Sequence, residues 1–356
     1  MTGSAKRVQK GISGYYLGPC IPPTGFIKKN VCTFRYLTIL IALIFLQPLD
    51  GAQLSTPSQN DSGDEYTIKL NANMVILNAT VLDRHNALVA GLGKDNFQIY
   101  EDGVLQQIKH FSHEDVPVTV GLVVDNSGSM GPKRADVIAA AMSFARSSNS
   151  QDQMFIVNFN DHVSYGLPAN ILFTNRQDQL QRALSSIKTI GETALYDGVA
   201  IALDHLKQGT CDKKVLILIS DGGDNASKHS LSQVLEMAKH SVAIIYVIGI
   251  LDEQDGDQNP GVLKRFAKET GGEAFFPESS TEIPSICEGI ARDIRNQYSL
   301  AYVPSIDKLD GGYRTIAIKV KSSGHGRLSA RTRAGYSVPG ALPKPVQGAD
   351  GHALHN

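Results

Sequence analysis

The sequence has no tryptophan, only four cysteines and almost no net charge. Its 356 residues carry a formal charge of -1, and no basic patch interleaved with aromatic residues occurs. This balance argues against nucleic acid or an anionic membrane surface as the main partner. Cys20 and Cys32 lie near the start of the chain, so only Cys211 and Cys287 fall in its main body. Those two either form a disulfide bond, which an oxidising compartment would permit, or remain unpaired buried thiols.

Common signatures of catalysis are also missing. No G-x-x-x-x-G-K-[ST] phosphate-binding loop occurs, and Ser127 does not lie in the G-x-S-x-G turn of serine hydrolases. The histidines His162, His205, His229 and His240 share no spacing that would make one of them a general base. We therefore do not expect an enzyme.

No apolar run reaches the roughly 20 residues that a bilayer-spanning helix needs. The longest, Tyr36–Leu46, follows the basic residue Arg35 and precedes small residues that end at Ala52. An apolar stretch of about 7–15 residues after positive charge is typical of a secretory signal. We interpret residues 1–52 as a leader, either cleaved near Ala52 or retained as a signal anchor, and expect a secreted, periplasmic or cell-surface protein.

After the leader, composition and periodicity divide the chain into five parts. Residues 53–65 are polar and aperiodic, which predicts a linker. Short alternating strands predict a small β-sandwich-like domain over 66–114, in which Leu105–Ile108 is one strand returning from a hairpin. Residues 115–297 form the main domain, 298–338 a β appendage whose strands share a sheet with the first ones, and 339–356 a disordered tail.

Strands and helices alternate through the main domain, which predicts an α/β fold with a doubly wound, mostly parallel sheet. The apolar strands Val118–Val124 and Lys214–Ser220 are expected at its centre. Helices are predicted at Thr193–Leu206 and at Thr281–Asn296, the latter with Thr281 as its N-cap.

The first of these strands ends in a cluster of oxygen-bearing side chains. Asp125 is followed at alternate positions by Ser127 and Ser129. Ligand sites of open α/β sheets lie at the carboxyl ends of strands. Carboxylate and hydroxyl oxygens on one tight turn suit a hard cation such as Mg²⁺.

Two more segments supply oxygens at the same edge of the sheet. Thr193 begins a helix after a glycine turn, and Asp221 ends the strand Lys214–Ser220. Each has an ordinary alternative, since Ser129 or Thr193 could cap a helix and Asp221 could be a turn residue. Their occurrence together at one sheet edge favours a shared site.

The motifs D-x-S-x-S, G-x-T-A-L-Y-D and S-D-G-x-D-N together resemble the metal-ion-dependent adhesion site of the von Willebrand factor type A domain. The resemblance implies a Rossmann-like sheet wrapped by helices, and no position of the site motif departs from the family pattern. It assigns the metal site to Asp125, Ser127, Ser129, Thr193 and Asp221. In the family the serines, and in one state the threonine, bind the cation directly, while the aspartates act largely through water.

The same resemblance implies a function in protein binding. The cation, Mg²⁺ or alternatively Mn²⁺ or Ca²⁺, keeps an open position that a Glu or Asp of a partner protein fills. Movement of the last helix, here Thr281–Asn296, would then switch the affinity. The flanking motifs L-x-x-D-N-F-x-I-Y-E-D-G and R-x-Q-Y-S-L-A-Y-x-P resemble a group of secreted bacterial type A domain proteins, best represented among acidobacteria.

Two other functions compete with this interpretation. Some type A domains work inside the cell with a partner ATPase, although the leader argues against that here. A metal-held water near Asp221 or Asp224 could also serve a hydrolase. Finally, the acids of the loop Leu251–Pro260 either tune specificity or bind Ca²⁺ at this edge, or form a solvated loop without EF-hand spacing.

Overall fold

A computed structural model describes residues 74–186, 188–252, 256–305 and 311–338. The predicted leader, linker and tail lie outside these described residues. The described part consists of an α/β domain and a β-sandwich. Among its helices, none combines the length and the apolar character needed to cross a bilayer.

The α/β domain is built on a six-stranded sheet in which four of the five strand pairs are parallel. Its strand order is β10-β9-β8-β5-β6-β7, with β7 antiparallel at one edge. The strands are β5 (Val118–Asp125), β6 (Gln153–Phe159), β7 (Val163–Tyr165), β8 (Lys213–Ser220), β9 (Ile244–Gly249) and β10 (Ala274–Phe275). The helices are α1 (Arg134–Ser147), α2 (Gln177–Ser185), α3 (Leu195–Leu206), α4 (Leu231–His240), α5 (Pro260–Thr270) and α6 (Ile283–Arg295). The predicted α/β fold with a mostly parallel sheet is therefore confirmed.

Strand β5 occupies the centre of this sheet, and all eight of its residues are buried. It pairs with β6 on one side and with β8 on the other. A strand without exposed positions needs apolar side chains on both faces, which explains its unbroken apolar sequence. Its neighbours leave no room beside Gly121, where an added Cβ would lie 2.6 Å from a methyl carbon of Leu216 and also too close to the Phe155 ring.

The β-sandwich combines the two segments that flank the α/β domain. Its strands are β1 (Val75–Leu82), β2 (Phe97–Glu101), β3 (Val104–Gln106), β4 (Ile108–Ser112), β11 (Tyr298–Tyr302), β12 (Tyr313–Val320), β13 (Ser329–Arg331) and β14 (Gly335–Ser337). One sheet has the order β13-β1-β11-β4 and the other β14-β12-β2-β3, and both enclose one apolar core. The described residues of the segments 66–114 and 298–338 therefore form one body rather than a domain and an appendage, with the α/β domain inserted between them.

Several predicted boundaries differ from the structure for local physical reasons. The expected strand Leu105–Ile108 breaks at Gln107, where the chain passes from the sheet of β3 to the sheet of β4. Thr281 does not cap the last helix. It lies in a single 3-10 turn whose cap is Ser279, and α6 begins at Ile283 because Pro284 favours the first helical turn.

The cysteines of the main body are unpaired. Cys287 on α6 is buried and donates its S–H to the carbonyl of Ala140 on α1, with an S···O distance of 3.3 Å. Cys211 is partly exposed and also carries a free thiol. The alternative of two free thiols is therefore the one observed, although Cys211 is not fully buried.

Because β5 is packed without space at Gly121, we expect Gly121→Ala to destabilise the protein by about 1–3 kcal/mol through overpacking. The matched change Gly289→Ala should instead stabilise it by up to about 1 kcal/mol, since Gly289 lies inside α6 with nothing near the new methyl group. Urea unfolding of both variants measures the difference. Equal effects of the two substitutions would contradict this account of the centre of the sheet.

Candidate metal centre

The site begins where the two central strands of the parallel sheet end. Strands β5 and β8 pair in register up to Val124 and Ile219, so the next residues of both strands reach the same edge. Those next residues are Asp125 and Ser220, and Asp221 follows Ser220 closely enough for its charge to act on Asp125; both aspartates are almost completely buried. A carboxylate in such surroundings needs hydrogen bonds or a nearby cation to remain charged.

Both carboxylate oxygens of Asp125 accept hydrogen bonds from within the protein. The backbone N–H of Ser127 donates to Oδ1 at 2.9 Å, and the hydroxyl of Ser220 donates to Oδ2 at 2.6 Å. Burial, and next the negative charge of Asp221, raise the pKa of Asp125 to about 7, against the effect of these hydrogen bonds. The hydrogen bonds to Asp125 therefore do not offset its burial and the charge of Asp221. A positive charge nearby would favour its ionised form.

Asp221 connects the turn that carries Ser127 and Ser129, here called the serine turn, to the end of β8. Its Oδ1 accepts a hydrogen bond from the backbone N–H of Gly223 at 3.2 Å, and its Oδ2 accepts one from the hydroxyl of Ser129 at 2.8 Å. The Ser129 and Ser127 hydroxyl oxygens lie 3.2 Å apart. The ammonium group of Lys133 is 3.5 Å from the same Oδ2 of Asp221.

Thr193 is held beside this group by bonds along its own backbone. Its N–H donates to the side-chain oxygen of Asn225 at 2.8 Å, and its carbonyl accepts from the N–H groups of Asn225 and Ala226 at 2.9 and 3.0 Å. Two residues earlier, the carbonyl of Gly191 accepts from the N–H of Gly128 at 3.0 Å. The Thr193 loop is therefore fixed both to the serine turn and to the loop after β8.

A cleft of about 260 Å³ opens above these side chains. Ser129, Thr193 and Asp221 line it, whereas Ser127 and Asp125 lie beneath and connect to it through the hydrogen bonds above. The structure thus brings all five predicted site residues together. The remaining lining residues are Gly191, Glu192, Gly223, Asp224, Asn225 and Asp257.

The alternative role of the hydroxyls as helix caps does not account for their positions. Helix α1 has Lys133 as its N-cap and α3 has Ala194, and neither helix receives a side-chain capping hydrogen bond. Helix α3 begins at Leu195, two residues later than predicted. The side chains of Ser129 and Thr193 are therefore available for another purpose.

The donor set fits a divalent cation that binds through few carboxylates. Within the described ranges, no group of three or more His, Cys, Asp or Glu side chains is placed to hold a metal ion. A cation here would rely on two aspartates and on hydroxyl oxygens, all of which are hard ligands. The raised pKa of Asp125 fits such a cation, which would favour the charged form of the carboxyl group.

Other residues contribute to the site or lie away from it. Asp224 lines the cleft, but its Oδ1 accepts hydrogen bonds from the Tyr196 N–H and the Ser227 hydroxyl, so it holds the loop together. None of the four histidines considered above lines the cleft. From the acidic loop after β9, Asp257 reaches the cleft, while residues 253–255 lie outside the described part.

Sequence reasoning missed three residues of this centre: Ser220, Asn225 and Lys133. Ser220 and Asn225 both belong to the S-D-G-x-D-N motif, but the motif alone does not show that Ser220 donates to Asp125 or that Asn225 accepts from the Thr193 N–H. Lys133 is distant from Asp221 in the sequence, so no local pattern could have identified their contact.

In the absence of divalent cations, the wild type should lose stability relative to Asp125→Asn as the pH rises. The pKa of Asp125 is near 3.8 when unfolded and about 7 when folded, so folding becomes less favourable across that interval. The loss amounts to about 1.4 kcal/mol per unit of pKa difference and should level off above about pH 7. Urea unfolding in chelator between pH 4 and 8 measures it. The exposed carboxyl change Asp204→Asn is the control, and parallel curves for wild type and Asp125→Asn would contradict the prediction.

Part of the chain is similar to a known protein family. Residues 119–288 match the family model described as von Willebrand factor type A domain. A relative from Borreliella burgdorferi (strain ATCC 35210 / DSM 4680 / CIP 102532 / B31), itself described as an uncharacterized protein, is 23% identical over 224 residues. That alignment covers 60% of this chain and 64% of the relative, so the match spans less than two thirds of its length.

Solved structures with the same domain name are similar to this chain at low identity. The vWF domain of the type V pili tip protein Mfa5 from Porphyromonas gingivalis is 15% identical, with a TM-score of 0.43, over 51% of this chain and 95% of that one. A von Willebrand factor type A protein from Catenulispora acidiphila is 12% identical, with a TM-score of 0.45, over 75% of this chain and 74% of that one. On the family match, residues 119–288 of the α/β part are similar to a von Willebrand factor type A domain.

Proposed function

We propose that the chain is an exported, non-enzymatic binding module of the adhesion type. In this proposal the cleft holds a divalent cation, and a Glu or Asp side chain of a partner protein completes its coordination. The supporting observation is that three chain segments direct hydroxyl and carboxylate oxygens toward one open cleft at the carboxyl end of the sheet. The cation would be Mg²⁺, or alternatively Mn²⁺ or Ca²⁺, held by Asp125, Ser127, Ser129, Thr193 and Asp221.

The charge of the cleft favours a partner that binds only through a cation. Four of its lining residues are acids, namely Glu192, Asp221, Asp224 and Asp257. An acidic side chain entering this cleft alone would meet like charge. A divalent ion bound between the serines and the aspartates reverses that interaction, because hydroxyl ligands add no negative charge. The acid-lined cleft is therefore a reason to expect metal-dependent recognition of a carboxylate.

The size and openness of the cleft also suit binding better than catalysis. A volume of about 260 Å³ has room for a side-chain carboxylate with several waters, each of which takes about 30 Å³ in the liquid. No histidine lines the cleft, and Oδ1 of Asp224 is engaged with the Tyr196 N–H and the Ser227 hydroxyl. Binding without turnover is the function that these features support best.

Calorimetric titration of the purified chain with Mg²⁺ and with Mn²⁺ tests the proposal. We expect saturable binding at one site and its loss in Ser127→Ala/Ser129→Ala, which removes two hydroxyl ligands. The matched control is Ser147→Ala/Ser148→Ala, because those hydroxyls only donate to carbonyls at the end of α1. If both double variants bind the cation like the wild type, the site is not where we place it.

Export has its own test. If the apolar run Tyr36–Leu46 belongs to a cleaved signal, amino-terminal sequencing of the protein from the exported fraction should begin near Leu54. A retained anchor would instead leave the intact chain in the membrane fraction. Recovery of the full-length chain from the cytosol would contradict export and favour the alternative of an intracellular assembly.

A further inference from the structure

Lys133 occupies a position that is unfavourable for a positively charged side chain. It is the N-cap of α1 and only 7% exposed. The first turn of a helix carries partial positive charge, which disfavours a lysine there, and lysines are rarely buried without a counter-charge. The ammonium group reaches Asp221, where Nζ and Oδ2 are 3.5 Å apart. This ion pair offsets the cost of burial.

The ion pair shares an atom with the predicted metal site. The same Oδ2 of Asp221 accepts the hydroxyl hydrogen bond of Ser129, one of the expected direct ligands. A cation arriving beside Ser129 therefore meets a carboxylate whose charge is already partly balanced. It also meets the repulsion of the ammonium group, which is strong because both side chains of the pair are nearly excluded from water.

We propose that Lys133 is a built-in counter-cation that weakens the binding of a divalent ion alone and strengthens the capture of a carboxylate by the loaded site. This inference rests on the proposed function and concerns the specificity of the same cleft. Asp125, Asp221 and Lys133 together carry one net negative charge when both acids are ionised. A divalent ion brings the group to one net positive charge, which an incoming carboxylate neutralises.

Without the lysine, the same group behaves differently in two respects. Two aspartates bind a divalent ion with full charge balance, so the ion alone binds more tightly. The loaded site is then neutral and attracts a carboxylate less. The ion and the carboxylate favour each other through their direct attraction, and the lysine shifts affinity from the ion alone toward the ion with its carboxylate. Metal affinity and carboxylate affinity should change in opposite directions when Lys133 is replaced.

Calorimetry on the purified chain, with Mg²⁺ and sodium acetate as probes, measures both quantities. The apparent Mg²⁺ affinity is determined with and without acetate at constant ionic strength. For Lys133→Met we expect Mg²⁺ alone to bind about tenfold more tightly, equivalent to about 1.4 kcal/mol, and the enhancement by acetate to shrink several-fold. Lys133→Arg keeps the charge and should retain the enhancement. Lys207→Met removes an exposed lysine paired with Asp204 and should change neither quantity.

The outcomes separate this inference from the function on which it rests. If Lys133→Met binds Mg²⁺ as the wild type does, with the same acetate enhancement, the role of Lys133 is overturned while the metal site stands. If the wild type and all variants fail to bind Mg²⁺ even with acetate, both proposals fall. Binding by Lys133→Met when the wild type shows none would support the inference. Should Lys133→Met unfold, Lys133→Gln removes the same charge with a polar side chain and decides the question.

Discussion

Two buried carboxyl groups placed side by side are the constraint on which this structure depends. Asp125 and Asp221 lie where the central strands end, and both are almost completely buried. Their mutual repulsion is strong in a medium of low dielectric, and it contributes to the raised pKa of Asp125. Ser220 and the backbone N–H groups of the two turns offset part of this cost. Lys133 supplies a positive charge, and a divalent ion would supply more.

The insertion of the α/β domain into the β-sandwich fixes the position of this centre relative to the sandwich strands. Helix α6 leads into β11, and near its end the buried Asp293 accepts hydrogen bonds from Thr80 of β1 at 2.5 Å and from Tyr246 of β9 at 2.8 Å. It also pairs with Arg331 of β13. Burial raises the pKa of Asp293, and Arg331 opposes that shift. A displacement of α6 of the kind that the family resemblance implies would have to break this buried network, so it would involve the sandwich as well.

What the sequence predicted, and what it did not, follows from the range of the interactions. Local patterns predicted the end of α3 at Leu206 and the burial of β5, because periodicity and apolar runs are properties of one segment. They also predicted which five side chains meet at the sheet edge, since parallel strands end together. The crossing between sheets at Gln107 and the pairing of Lys133 with Asp221 depend on residues distant in sequence, which no local pattern encodes.

The same topology leaves the cleft accessible. The chain enters the α/β domain at the amino end of β5 and leaves it after α6, and β4 and β11 at these two points are paired neighbours. The cleft lies at the opposite, carboxyl end of β5, roughly 25 Å away at about 3.3 Å per residue. Among the described residues, none from the sandwich strands lines it. The α/β domain is thus attached to two adjacent sandwich strands at one end of its sheet, and its buried charges and the cleft lie at the opposite end.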